Sequence, residues 1–225
     1  MAIDMNTDYQ RPPAELVDRF RTLASSTVGN VLDDLGIDGI ILNLKPVVFG
    51  TRIVGPAYTV KEISGVRGTF SAAEFGLGAV IDTARSGDVV VIDNAGQQVS
   101  TWGGIASLAA RNKGVGGLIV DGGVRDADEI NEFGFPVFSR HVVPLSGKTR
   151  VKVIATGGVV KIDGVRVSAG DIIVADSTGI VCVPLAKAEE IAARAEKLDQ
   201  DDRRAIEEIN KGLDFTTALS KFPKL

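Results

Sequence analysis

From Ala79 to Phe138 the chain alternates short apolar runs with amphipathic ones, and this order constrains the fold more than any other feature. "VVVID" (89–93) reads as a strand, and "GGIASLAARNKG" (103–114) as a helix with a glycine stop. "GGLIVD" (116–121) is the next strand, "DADEINEFG" (126–134) a short helix, and "PVFS" (136–139) another strand. Strands alternating with helices of this length predict a parallel α/β core.

The flanks have different periods. Residues 14–24, "AELVDRFRTLA", carry Leu16, Val17, Phe20 and Leu23 at helical spacing after Pro12-Pro13. "SSTVGNVLDDLG" predicts a second helix, with Ser or Thr as cap and Gly36 as stop. "GTRIVGPAYTVKEI" alternates as a strand does. The last third turns to short strands, with Asp163-Gly164 as a tight hairpin, and then to a charged helix over about 185–213. That helix has apolar residues at Ile191, Ala195, Leu198, Ile206 and Ile209. One internal echo joins the halves: "SGDVVVIDNAG" (86–96) and "AGDIIVADSTG" (169–179) share a Gly-Asp turn, a buried strand and Asp-x-x-Gly. Two copies are too few for a solenoid and predict similar strand-turn units in one mixed layer. With 44% hydrophobic and 24% charged residues, the 225-residue chain is expected to form one domain, 1–225, with its core over about 23–184.

Charge and composition exclude several functions. A net charge of −4 offers no basic footprint for nucleic acid or an anionic membrane. No apolar run approaches the roughly 20 residues that span a bilayer. The polar start "MAIDMNTDYQRPP" lacks the pattern of a signal peptide, so a soluble, cytoplasmic protein is expected. A single cysteine, Cys182, excludes an internal disulfide, and a single histidine, His141, excludes metal sites built on several histidines of one chain.

The chemistry concentrates in "LIVDGGVRDADEI" (118–130). Two readings of Arg125-Asp126 stand side by side. In one, Asp126 caps the following helix, Glu129 completes a capping box, and Arg125 is a loop cation. In the other, the Arg125 guanidinium presents its fork to a substrate carboxylate and Asp126 binds a hard, water-rich divalent cation. Gly103-Gly104 open a helix after strand 89–93, where backbone amides suit an anion. Adjacent parallel strands would bring both turns to one crevice. His141 reads as a loop or interface residue beyond strand 136–138, Cys182 as a buried strand residue, and Trp102 as a packed aromatic or the wall of a pocket. The acidic cluster "DQDDRR" (199–204) reads as a solvated helix face.

"GPAYTV" (55–60), "ARSGDVVVID" (84–93), "WGGIASLAARNKGVGGLIVDGGVRD" (102–126) and "GDIIVADSTGIVCVP" (170–184) run in an order that resembles the regulator of ribonuclease activity A / 4-hydroxy-4-methyl-2-oxoglutarate aldolase family. The resemblance implies an α/β, swivelling β/β/α fold, with the parallel core and C-terminal helix, assembled as a trimer or hexamer. It implies a class II pyruvate aldolase that uses Mg²⁺ or Mn²⁺ and cleaves 4-hydroxy-4-methyl-2-oxoglutarate or 4-carboxy-4-hydroxy-2-oxoadipate, with oxaloacetate decarboxylation as a side activity. Carried over, Arg125 grips the α-keto acid carboxylate, Asp126 ligates the metal, and Gly103, Gly104, Ile105 and Ala106 hold the substrate through their amides. Two positions depart from the pattern. Family aldolases commonly carry an acidic residue where this chain has Gly104, and a C-terminal glutamate reaches a neighbour's metal waters where this chain offers Asp199 and Asp202. Those departures predict stronger oxaloacetate decarboxylation than aldol cleavage. The family also implies two alternatives: a non-catalytic regulator that binds a ribonuclease, and a lyase serving another substrate. Regulators commonly lack the aspartate after the arginine, so Asp126 favours the enzyme.

Overall fold

The apolar runs of the sequence lie side by side in one mixed sheet, because each is too short to bury its own surface alone. The computed structural model describes residues 3–222. In chain order the elements are β1 (Asp4–Met5), α1 (Ala14–Phe20), α2 (Ser25–Asp34), β2 (Ile40–Ile41), β3 (Lys45–Pro46) and β4 (Ile53–Ser64). Then come α3 (Leu77–Thr83), β5 (Val89–Asp93), β6 (Ser100–Trp102), α4 (Gly104–Asn112), β7 (Gly117–Val124) and α5 (Ala127–Phe133). β8 (Val137–Val142), β9 (Val151–Thr156), β10 (Val159–Ile162) and β11 (Val165–Ser168) follow. The chain closes with β12 (Ile172–Ala175), β13 (Ile180–Val183), α6 (Ala188–Asn210) and α7 (Phe215–Lys221).

The sheet order is β2-β13-β12-β4-β5-β7-β8-β3, and β4, β5, β7 and β8 form the expected parallel core. Strand β4 is the hinge of the architecture. Its first residues pair antiparallel with β12 and its later ones parallel with β5, so it belongs to two sheet regions at once. Alternation then sorts side chains into layers. Val90, Ile92, Leu118 and Val120 face α3, α4 and α5, while Val89, Val91 and Ile119 face the β10–β11 hairpin. The same alternation at β12 and β13 places Val174 and Val181 beneath α1, α2 and α6, and Ile173 and Cys182 in the hairpin layer. Both faces of the central strands are therefore covered, which is why they read as unbroken apolar runs. This hairpin/sheet/helix layering is the β/β/α fold expected.

The internal echo is a repeated piece of backbone chemistry on either side of β4. Asp88 and Asp171 each accept a hydrogen bond from the backbone N–H three residues earlier, at 2.8 and 2.7 Å. Asp93 and Asp176 each accept one from two residues later, at 3.0 Å in both cases. Both repeats are thus strands bracketed by carboxylate-locked turns.

Several boundaries differ from expectation. The first helix ends at Phe20 rather than 24, and Leu23 is buried after it in the turn. Strand β7 does not stop at Asp121 but runs through Gly122-Gly123 to Val124, so the double glycine is strand and not loop. A Cβ on Gly123 would meet Val99 O at 2.8 Å and Val143 Cγ2 at 2.9 Å, so the neighbouring chains approach too closely for a side chain. His141 lies inside β8, not beyond it, with Nε2 3.1 Å from Gly96 O. Helix α6 buries Ile191, Ala195 and Leu198 as expected, whereas Ile206 and Ile209 are exposed.

Candidate active site

Arg125 and Asp126 follow directly from the end of β7, and Gly103-Gly104 from the end of β6. These strands pair in parallel, Ser100 with Gly123 and Trp102 with Val124, so the two turns leave the sheet at the same height. The expected neighbour was strand 89–93; the three-residue β6 instead brings the glycines to β7. Arg125 N–H donates to Trp102 O at 3.0 Å and locks the turns together. Beneath them Trp102 is buried, stacked on Phe135 at 6.1 Å between ring centroids, and its Nε1 donates to Ser107 Oγ at 2.9 Å. Ser107 in turn donates to Gly103 O at 3.0 Å. Trp102 is therefore the packed support of the site, as its sequence reading held.

The capping reading of Asp126 does not hold. Its side chain makes no capping hydrogen bond, and its backbone sits in the left-handed region at φ 58° and ψ 43°. Aspartate adopts this conformation more readily than most residues, and Ala95, Thr149 and Asp163 adopt it elsewhere in the chain. The left-handed backbone turns the carboxylate away from its own helix and towards α4. Asp126 Oδ2 accepts the Gly104 N–H at 3.2 Å and lies 3.4 Å from Arg125 Nε. Its other oxygen has no hydrogen bond or ion pair among the described residues. The Arg125 side chain is half exposed, and Asp126 is the only polar partner of its guanidinium among those residues.

Gly103 and Gly104 are glycines for reasons of space. Gly103 is extended, at φ −153°, which any residue adopts, but a Cβ there would stand 2.5 Å from Asp126 Oδ2. Gly104 is helical, and a Cβ on it would collide with the Glu129 carboxylate and lie 2.8 Å from Glu129 Cβ. Ile105 is exposed and Ala106 half-buried in the first turn of α4. The turn thus gathers Arg125, Asp126, Gly103, Gly104 and Glu129. The sequence reading gave Glu129 only a capping role; its i, i+3 spacing from Asp126 and the missing side chain at 104 were the available signals.

A second acid escaped the sequence reading. Glu62 in β4 shares the inward side of Tyr58 and Val60 and is 2% exposed. Its Oε1 accepts from Thr101 Oγ1 at 2.5 Å, and its Oε2 has no partner. Burial pushes this carboxyl up to about 8, reinforced by Asp93 and opposed by the Thr101 hydroxyl and Lys61. Arg140 donates to Asp121 and Asp163, each at 2.6 Å, tying β7 to the β10–β11 hairpin. Burial would raise Asp163, but Arg140, the Asn43 side chain and the amides of Asn43 and Leu42 hold it well below the usual carboxylate range.

The other candidates lie apart. Cys182 is buried in β13 with its thiol raised by burial, so it is inert. Asp199 pairs with Arg203 at 2.8 Å, and Asp202 lines a groove of about 660 Å³ with Val31 and Asp34 of α2. Among the described residues, no group of three or more His, Cys, Asp or Glu could hold a metal by itself. No helix among them is long and apolar enough to cross a membrane.

The comparisons with known proteins agree with this architecture. Residues 18–182 match the model of the RraA-like family, Aldolase/RraA. The chain is 34% identical over 168 residues to Protein DlpA of Legionella pneumophila, but it spans only 27% of that protein's length. It is 30% identical over 190 residues to a Halalkalibacterium halodurans protein named "Putative 4-hydroxy-4-methyl-2-oxoglutarate aldolase", covering 84% of this chain and 85% of that one. A Pseudomonas syringae protein of solved structure superposes with a TM-score of 0.84 at 33% identity, over 93% of this chain and 99% of that one. Streptomyces coelicolor RraAS2, titled an unusual member of the RNase ES inhibitor RraA family, superposes with a TM-score of 0.75 at 28% identity, over 91% of this chain and 100% of its own. The chain belongs to the RraA-like family.

Proposed function

We propose that the protein is a divalent-cation-dependent lyase that cleaves small α-keto acids and releases pyruvate, by retro-aldol cleavage, decarboxylation of oxaloacetate, or both. The observation that carries this reading is the convergence of the Arg125 guanidinium, the Asp126 carboxylate and the Gly104 amide on one turn. Arg125 has a free fork for the α-carboxylate of the substrate, and the start of α4 adds amide donors for an anionic oxygen. The presence of Asp126 favours the enzyme over a regulator, since regulators of the resembled family commonly lack the aspartate after the arginine.

A magnesium or manganese ion fits the donor set. Asp126 keeps one carboxylate oxygen uncommitted among the described residues, and a cation of this class retains several waters and asks for one or two carboxylates. When bound, the ion supplies positive charge to the substrate's keto oxygen. The free edge of the Arg125 guanidinium would hold the α-carboxylate of the keto acid and fix its position beside Asp126. The amides at the start of α4 help hold the negative charge that develops as the bond breaks, so no lysine Schiff base is needed. The substrate is a small α-keto acid, and the assembly a homotrimer or hexamer, following the family resemblance.

The test is pyruvate release by purified protein from several 4-hydroxy-2-oxo acids and from oxaloacetate, with Mg²⁺ or Mn²⁺ and after chelation. Cation-dependent release is expected. Full activity in chelator-treated protein and metal-free buffer would remove the cation from the mechanism. No release from any substrate, together with tight binding of a ribonuclease, would favour the regulator.

A further inference from the structure

We propose that Glu129 is the proton-transfer group of this site, its carboxylate occupying the space that a side chain at position 104 would fill. The inference rests on the lyase reading above and names the residue that performs its proton steps. Cleavage of a 4-hydroxy-2-oxo acid needs a base for the hydroxyl proton and then a donor to carbon. Asp126 gives one oxygen to the Gly104 amide and Arg125, and the other is the one that would hold the cation. Ser107 already donates to Gly103 O and accepts from Trp102, and His141 lies against Gly96. Glu129 differs from all of these. It makes no hydrogen bond and no ion pair among the described residues, and it is exposed enough to exchange protons with water.

Its placement is specific. A Cβ on Gly104 would overlap Glu129 Oε2 and lie 2.9 Å from Glu129 Cδ, so the acid lies across the first residue of α4. Gly104 is buried although it opens a helix at the surface. Its backbone is helical, so its lack of a side chain answers to space and not to conformation. The glycine and the glutamate are therefore two halves of one arrangement: removing the side chain at 104 admits a carboxylate from α5 beside the amide that holds Asp126. On this proposal Gly104 does not leave the aldol reaction without a base.

The proton balance closes on Glu129 alone. Its carboxylate takes the proton of the C4 hydroxyl. The O–H electron pair forms the new C4 carbonyl, the C3–C4 bond breaks, and its electrons pass into the enolate of pyruvate. The protonated Glu129 then returns the proton to C3, giving pyruvate and restoring the carboxylate. The second step, run backwards, exchanges the methyl protons of pyruvate with solvent.

Exchange of pyruvate methyl protons in D₂O, followed by NMR with Mg²⁺ present, isolates this step without any bond cleavage. Glu129→Gln is expected to slow exchange at least about a hundredfold while the dissociation constant of pyruvate changes less than about threefold. Glu129→Ala loses exchange likewise. Pairing Gly104→Asp with Glu129→Gly, which clears the Cβ at 129 as well as its carboxylate and returns an acid from the other helix, restores exchange to within about tenfold of wild type. Wild type that exchanges, with Glu129→Gln exchanging as fast, overturns the assignment of Glu129 and leaves the lyase reading standing. Wild type that neither exchanges nor releases pyruvate overturns the lyase reading itself, and the role of Glu129 with it.

Discussion

Replacing Glu62 by glutamine should make the protein more stable at neutral and alkaline pH, by an amount the structure sets. The acid is 2% exposed, one oxygen accepts from Thr101, and the other has no partner, so ionising it in place is costly. Burial lifts its carboxyl from 4.5 in an unfolded chain to about 8 in the folded one. The folded state therefore holds a proton that the unfolded state releases between these values, and stability falls as pH rises through that window. At roughly 1.36 kcal/mol per pH unit, the whole window is worth about 5 kcal/mol, of which about 3 kcal/mol is already felt at pH 7. Glutamine keeps the shape and still accepts from Thr101, but carries no proton to lose. Urea unfolding at pH 5, 7 and 9, at equal protein concentration, reads the difference. Wild type should lose about 4 kcal/mol more than Glu62→Gln between pH 5 and 9. Parallel pH curves for the two proteins would show that Glu62 is solvated or paired in the folded state and refute the reasoning.

Arg125→Lys keeps the charge but loses the planar fork, and should lower kcat/KM for α-keto acids about ten- to a hundredfold with an unchanged melting temperature; an unchanged kcat/KM would remove the residue from the site. Asp126→Gly should relieve the left-handed backbone, so its melting temperature should equal or exceed that of wild type while cation-stimulated activity disappears. A large fall in melting temperature would restore the capping role instead. Light scattering should find a trimer or hexamer, in which the exposed Ile206 and Ile209 of α6 are covered; a 24 kDa monomer would refute it. Acidification should loosen the β10–β11 hairpin, because Asp163 stabilises it above its unfolded value of 3.8 and loses that contribution as falling pH protonates it. Hydrogen exchange of hairpin amides that is flat below pH 4, once corrected for intrinsic rates, would contradict this.

The sequence by itself determined the order of strands and helices. The runs 89–93 and 116–121 were legible as buried strands and 103–114 and 126–134 as helices, because the apolar period and the stop residues lie within each segment. The Asp163-Gly164 turn and the repeated Gly-Asp turns were legible for a similar reason: their chemistry is local, a side chain meeting a backbone amide two or three residues away. Arg125, Asp126, Gly103 and Gly104 stood out as candidates, but their meeting was inferred through the wrong strand. Only the tertiary structure decided that Gly122-Gly123 continue β7, that β6 pairs with that continuation, and that Asp126 turns away from its own helix. It alone showed Glu129 over Gly104 and Glu62 sealed in the core. Each of these depends on contact between residues tens of positions apart, and a carboxylate's hydration, strain and proton affinity are set by the atoms packed against it, which sequence neighbours do not reveal.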